Sequence, residues 1–233
     1  MGQSQKNIFE MIKDYMNMLI ARGLKMPIKY FLEAHLFDII NKTDTHKRIV
    51  LSKYKYKTKN FNHSVQYQAS WTSEIKRNFK FLNNNFSIDK FVFFDVGCGK
   101  GKVIITWLKE LLKINENQKL IGIDNYLPTL RIAKKNLRKI KKKNNVLLRN
   151  LSVLEYDFSK HKNVIFYLYN PFDEIILNKF LNKIYKKNVI IIYNNPIHFN
   201  KIKKKFKFRL LMNKKSWHPN LSTKIFIGKN TNL

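Results

Sequence analysis

From residue 91 the chain alternates short, unbroken apolar runs with amphipathic stretches of helical length. The runs are FVFFDV from Phe91, KLIGID from Lys119, NVLLRNL from Asn145, NVIFYLYN from Asn163 and NVIIIYNN from Asn188. A strand that is apolar without alternation must be covered on both faces. Helices between such strands imply βαβ units and parallel pairing. The intervening stretches read as helices: KVIITWLKELLK, then PTLRIAKKNLRKIKKK with Pro128 near its start, then DEIILNKFLNKIYKK. The chain closes with FKFRLLMNKKSW and TKIFIGK, two strands expected to run antiparallel. The pattern therefore predicts an α/β fold: a mostly parallel sheet with an antiparallel pair at its C-terminal end.

The first third has a different rhythm. Residues 6 to about 40 read as two amphipathic helices, punctuated by Gly23 and Pro27. The first, over 6–22, carries Glu10 and Asp14 beside its lysines. A cover over the sheet is thus expected rather than a helix lying on a membrane. Residues 41–66 are polar and Lys-rich and read as an extended connection, and 70–83 as a further helix. We divide the chain into an N-terminal helical extension and connection, 1–66, and a catalytic-type domain, 67–233.

The formal net charge is +31, from 46 basic and 15 acidic residues. That excess suits an anionic partner such as nucleic acid. It equally suits AT-rich codon usage, since Lys, Asn and Ile dominate. The runs Lys134–Lys135, Lys141–Lys143 and Lys203–Lys205 read as solvated faces. A lone cysteine, Cys98, excludes an internal disulfide and a multi-cysteine zinc site. The histidines show no metal spacing, and no metal is expected. No apolar run approaches the roughly 20 residues a bilayer span needs. No start resembles a signal peptide, so a cytoplasmic protein is expected.

Three glycines, Gly97, Gly99 and Gly101, follow the first strand in DVGCGKG. Each costs backbone entropy, so something must come close to the chain there. In a parallel sheet, ligands bind at the carboxyl ends of strands. A P-loop would need Gly at Val96 and Ser or Thr at Val103, which excludes it. A dinucleotide loop would need its third glycine one residue later than Gly101. S-adenosylmethionine needs close main chain but no phosphate cradle, together with a carboxylate for its ribose. Asp124, at the end of KLIGID, is placed to supply that carboxylate.

FFDVGCGKG, IGID and the order of elements resemble class I S-adenosylmethionine-dependent methyltransferases. The resemblance implies a Rossmann-like, doubly wound sheet, S-adenosyl-L-methionine as cofactor, and roles by position. Asp95 would sit near the methionine amino group. Gly97, Cys98, Gly99 and Gly101 would form the cofactor loop, with the glycines lining the cofactor. Asp124 would hold the ribose, and Asn125 would flank the adenine. Ser152 stands where the family often has an acid for the adenine amino group, with Asp157 a poorer-placed alternative. LFDIINKTDTHKRI, YQAS, the DxGCGKG loop and LYNPFD together resemble a bacterial group of small methyltransferases. That likeness would put Tyr67 near the cofactor.

The fourth strand runs into Asn170-Pro171-Phe172, at the same sheet end as the glycine loop. It is similar to the Asn-Pro-Pro-aromatic motif of amino-methylating enzymes. There the Asn carbonyl takes hydrogens from an acceptor nitrogen and the aromatic packs on a planar substrate. Here one proline is present and Asp173 follows the aromatic. Nitrogen is slightly favoured over oxygen as the acceptor, and a simple strand-ending turn remains an alternative. Tyr193, Asn194 and His198 are expected to border the acceptor pocket, with His198 the candidate base. An RNA methyltransferase, or a nucleic-acid-binding protein on this scaffold, is the second reading. Oligomeric state is left open.

Overall fold

The computed structural model describes residues 8–47, 49, 63, 65–140, 145–198, 200 and 206–228. Lys141–Lys143, Lys203–Lys205 and most of the 41–66 connection lie outside these.

The five apolar runs form parallel strands β1 (Val92–Val96), β2 (Leu120–Asp124), β3 (Val146–Asn150), β4 (Asn163–Tyr169) and β5 (Asn188–Asn194). β6 (Arg209–Lys214) and β7 (Thr223–Ile227) add an antiparallel pair, with β7 against β5. The sheet order is β3-β2-β1-β4-β5-β7-β6. The order reverses between β1 and β4, because the chain winds outward to β3 and then returns to the other side of β1. That switch opens a crevice at the strands' carboxyl ends.

Alternate strand residues feed two cores. Phe94, Phe166, Leu168 and Ile191 pack with Leu177, Phe180 and Ile184 of α7 (Glu174–Ile184). Phe93, Ile165, Tyr167 and Ile190 pack with Trp107 of α5 (Lys102–Lys113) and with Ile75, Phe79 and Leu82 of α4 (Thr72–Asn85). Both faces are thus covered, as the non-alternating runs require. α6 (Leu127–Arg138) adds Leu130 to the second core. Asp173 caps α7, its carboxylate accepting from the Ile176 N–H at 3.1 Å.

The N-terminal residues form α1 (Ile8–Arg22), α2 (Lys25–Tyr30), one π turn over Phe31–His35, and α3 (Leu36–Asn41). α2 and α3 bury Met26, Pro27, Phe37 and Asp38. α1 departs from the expected cover. It packs mainly on α2, and Phe9, Ile12, Met16 and Ile20 stay in solvent. Only Met18 joins a small cluster with Met26, Trp71 and Leu221. The sheet face is taken instead by α4, whose Ile75 and Leu82 are wholly buried. No helix among the described residues is long and apolar enough to cross a membrane.

Candidate active site

The glycine loop turns back on β2. The N–H groups of Gly97 and Cys98 both donate to the Ile123 carbonyl, at 2.8 and 3.0 Å. Gly99 N–H donates to Asp124 Oδ2 at 2.7 Å, and Gly101 N–H to the Cys98 carbonyl at 2.8 Å. An anion cradle needs such donors free. These are committed within the protein, so the glycine turn offers a pyrophosphate no ring of free N–H groups, which weighs against the dinucleotide reading.

The three glycines are bare mainly for the protein's own sake. All have positive φ. A Cβ on Gly99 would run into the Tyr67 ring, one on Gly97 into Pro171, and one on Gly101 would meet the Ala133 Cβ of α6 at 3.3 Å. Gly97 lines the cavity beside the loop, whereas Gly99 and Gly101 do not. Gly99 seats an aromatic ring and Gly101 lets α6 approach, so of the three glycines expected at the cofactor Gly97 is the one in the cavity wall.

The cavity has a volume of about 180 Å³ and opens at the β1–β4 switch. Asp95, Gly97, Cys98, Asp124, Asn125 and Ser152 line it from the β1, β2 and β3 ends. Asn170, Pro171 and Phe172 line it from the β4 end, and Tyr67 closes it from above. Asp124 holds the loop with one oxygen, while its Oδ1 accepts from the Tyr126 N–H at 2.8 Å. Burial raises its pKa, partly offset by these two bonds. Asp95 is different. It is 3% exposed, and among the described residues its Oδ2 meets no hydrogen-bond partner. Burial, and then the charge of Asp124, push its pKa well above the usual carboxylate range. Cys98 is buried beside both carboxylates, and burial holds its thiol protonated.

Two segments that precede the sheet in sequence roof this loop. Residues 65–70 line the cavity directly. The Tyr67 hydroxyl donates to the Thr45 carbonyl at 2.6 Å. Residues 43–46 are gathered on Asp38, whose carboxylate takes the Thr43 hydroxyl, the Thr45 N–H and hydroxyl, and the His46 N–H and Nδ1, all at 2.6–2.9 Å. Burial opposes ionisation of Asp38, but the bonds from His46, Thr43 and Thr45 outweigh it and hold its pKa far below normal. Asn136 of α6 clamps the same segment, its Oδ1 accepting from the Asp44 N–H at 3.0 Å. Its Nδ2 donates to the Asp44 and Lys100 carbonyls at 3.2 and 3.1 Å. Lys100, with no exposed side-chain surface, reaches Asp44 at 3.3 Å. Among the described residues, Asp38, Asp44 and His46 also form the one trio with metal-type ligand atoms within 4.8 Å of one another. The five donors already on Asp38 make the trio a hydrogen-bonded knot.

On the acceptor side, Asn170 has φ of 41° and Asn195 of 49°, the left-handed region that costs a non-glycine residue about 1–3 kcal/mol. Both line the cavity. The Tyr193 hydroxyl donates to Asn170 Oδ1 at 3.0 Å. Phe172 is only 8% exposed and packs edge-on to Phe180 at 6.2 Å, so it serves the core as well as the cavity wall. Asp173 explains its own departure from the motif: it caps α7 and bonds His63 Nδ1 at 2.6 Å.

Some expected residues do not reach the cavity. Tyr193, Asn194 and His198 do not line it; Asn195 takes that place. Asn194 is buried and ties β5 to the Asn220 and Ser222 carbonyls at 3.1 and 3.0 Å. Asp157 is exposed and bonds Ser159, leaving Ser152 as the β3-side residue in the wall. Residues the motifs did not signal also line it: His63, Lys102 and Thr129. Lys102 is nearly buried and donates to the Glu33 carbonyl, and burial lowers its pKa to about 8.

Solved structures share this architecture at low identity. A candidate RNA methyltransferase of Pyrococcus horikoshii aligns at 19% identity and a TM-score of 0.51, covering 78% of this chain and 94% of that one. Magnesium protoporphyrin IX methyltransferase of Synechocystis, solved with S-adenosylmethionine, aligns at 13% and 0.48, over 66% of this chain and 77% of that one. An RNA methyltransferase of Salinibacter ruber, solved with S-adenosylhomocysteine, aligns at 15% and 0.46, over 67% and 91%. No curated protein matches the chain. A family model described as a methyltransferase domain matches residues 89–214, more than half the sequence. The switch-point cavity with its buried acid, Asp95, lies largely within that span, and the chain belongs to the methyltransferase-domain family.

Proposed function

We propose that this protein transfers a methyl group from S-adenosyl-L-methionine to an acceptor presented between Asn170-Pro171-Phe172 and Asn195. The observation that carries the reading is the unpartnered Oδ2 of Asp95. A buried acceptor without a donor costs about 1–3 kcal/mol. The cofactor's amino group is a cation with hydrogens to give, and it fits that vacancy. Asp124 would meet the ribose through lone pairs its two N–H partners leave free, with Asn125 and Ser152 toward the adenine. Gly97 and Cys98 leave room for the methionine chain, and Tyr67 closes the cavity over it.

The bound cofactor supplies an electrophilic methyl on a sulfonium. The chain's own task is to aim an acceptor at it, at about 3–3.5 Å and in line. Asn170 Oδ1 takes the Tyr193 hydrogen and keeps a second lone pair. That lone pair would take a hydrogen from an acceptor amine or hydroxyl, and the likeness of Asn170-Pro171-Phe172 to the amino-methylating motif is what favours nitrogen. The pinned turn, with Pro171 against Gly97, fixes its direction.

The net charge of +31 favours a polyanionic acceptor, so RNA stands as the second, finer reading. The test is calorimetry with S-adenosylhomocysteine, followed by a radiolabelled methyl assay on cell extract split into RNA, protein and small-molecule fractions. Micromolar binding that is lost in Asp124→Ala, with label in one fraction, is the expected result. No heat and no thermal shift at millimolar ligand would sink the proposal. Label confined to protein or small molecules would remove RNA alone.

A further inference from the structure

Granted the methyl transfer proposed above, on which this step rests, we propose that His63, held by Asp173, is its general base, and that the acceptor atom carries a hydrogen it must give up. His198, the base expected from sequence, does not line the cavity, whereas His63 does, together with Pro171 and Phe172. Two main-chain bonds fix His63 there. The Val65 N–H donates to the Pro171 carbonyl at 3.3 Å, and the Asp173 N–H to the His63 carbonyl at 3.0 Å. His63 is thus anchored at the β4 end, on the acceptor side of the cavity.

An ionised carboxylate only accepts hydrogen bonds. The 2.6 Å bond from His63 Nδ1 to Asp173 Oδ2 therefore puts the ring hydrogen on Nδ1. Burial opposes ionisation of Asp173, but the bonds from His63 and the Ile176 N–H outweigh it and hold its pKa below normal. In the neutral ring Nε2 is then left with a lone pair, and no described residue bonds it. Asp173 is fixed in turn by its other oxygen, which caps α7 at Ile176. It is a positioning residue, since it acts through the imidazole. The other charged groups of the wall are taken. Asp95 and Asp124 face the proposed cofactor, and Lys102 donates to the Glu33 carbonyl.

The step balances without a further reagent. A lone pair on the acceptor nitrogen or oxygen forms the new bond to the methyl carbon. The carbon–sulfur bond breaks, and its electrons stay on sulfur as a neutral thioether. The proton leaves the acceptor for His63 Nε2, and Asp173 stabilises the imidazolium. The side chains of His63 and Asp173 keep 34% and 38% of their surface exposed, so the proton then passes to water. An acceptor without a hydrogen, such as a tertiary amine or a thioether, gives His63 nothing to remove and is excluded.

The experiment compares the full-length wild type with His63→Ala and Asp173→Asn. Calorimetry reads S-adenosylhomocysteine binding, and radiolabelled methyl transfer to cell extract reads the rate at saturating S-adenosylmethionine. His63→Ala should lose about 10²–10⁴-fold in rate, keep its affinity for S-adenosylhomocysteine and its KM for S-adenosylmethionine, and regain part of the rate with added imidazole. Asn caps a helix about as well as Asp, so Asp173→Asn should keep its melting temperature. Its amide would donate to Nδ1 and move the ring hydrogen to Nε2, and the rate should fall about 10²-fold or more. Nitrogen NMR of the imidazoles reads that tautomer switch with no acceptor present. A wild-type rate in His63→Ala overturns the proposal. So does a loss of rate that imidazole does not rescue and that tracks weaker S-adenosylhomocysteine binding, the mark of a mere clamp on the roof. So does a neutral wild-type ring protonated on Nε2. No S-adenosylhomocysteine binding by the wild type would instead bring down the methyl-transfer reading itself, and this base with it.

Discussion

Asp95 is held in the cavity wall with one oxygen unpartnered and a second acid nearby. Its pKa is raised in the folded, ligand-free protein, so between the ordinary carboxylate value and that raised value the folded state keeps a proton the unfolded state loses. Stability therefore falls as pH rises through that window. Binding an ammonium group requires the ionised form, so the ligand displaces a proton. Affinity for S-adenosylhomocysteine should rise with pH up to the raised pKa and then level off. Calorimetry in buffers of different ionisation enthalpy should register the released proton. Asp95→Asn should abolish the proton release, weaken binding about tenfold or more, and flatten the stability profile. Unchanged proton release in the variant would remove Asp95 from the site. Gly99 makes a second residue-level test. Gly99→Ala drives a Cβ into the Tyr67 ring at a φ of 50°, and we expect a loss of about 2–4 kcal/mol. In a Tyr67→Ala background the added cost should drop to about 1 kcal/mol, the backbone strain alone. Equal costs in both backgrounds, by denaturant titration, would show that the ring is not what the glycine accommodates.

At the scale of elements, the roof over the loop hangs on Asp38. Its pKa is held low, so its contribution to stability is present above the ordinary carboxylate value and is lost as pH falls toward the depressed one. Asp38→Ala leaves the donors of Thr43, Thr45 and His46 unpaired, and a cost of about 3–5 kcal/mol is expected. Hydrogen exchange should show residues 43–47 opening while β1 and β4 stay protected. Uniform loss of protection would mean that the roof and sheet unfold as one unit. In sequence this segment was marked only by the likeness that LFDIINKTDTHKRI carries; that Asp38 gathers Thr43, Thr45 and His46, and that Asn136 clamps Asp44, was not legible, because those partners meet only in the folded chain. The strands and α4 to α7 were legible because burial on two faces writes itself as unbroken apolar runs and 3.6-residue spacing. The glycine loop was legible as a place of close approach. What approaches was not legible, since sequence shows a missing side chain but not whether ligand, Tyr67 or Ala133 fills the room. α1 was misplaced for a related reason: an apolar stripe says that something covers it, not what.

At the scale of the whole molecule, the net charge of +31 gives a test of the acceptor class. If the acceptor is RNA, its phosphates meet the basic surface, and each neutralised phosphate releases a counterion. The logarithm of affinity for a single-stranded oligonucleotide should then fall linearly with the logarithm of salt, by about 0.7 per phosphate contacted. Four or more contacts would give a slope of about −3 or steeper, read by fluorescence anisotropy. A shallow slope near zero would return the charge to codon composition and leave a small molecule or a protein amine as the acceptor.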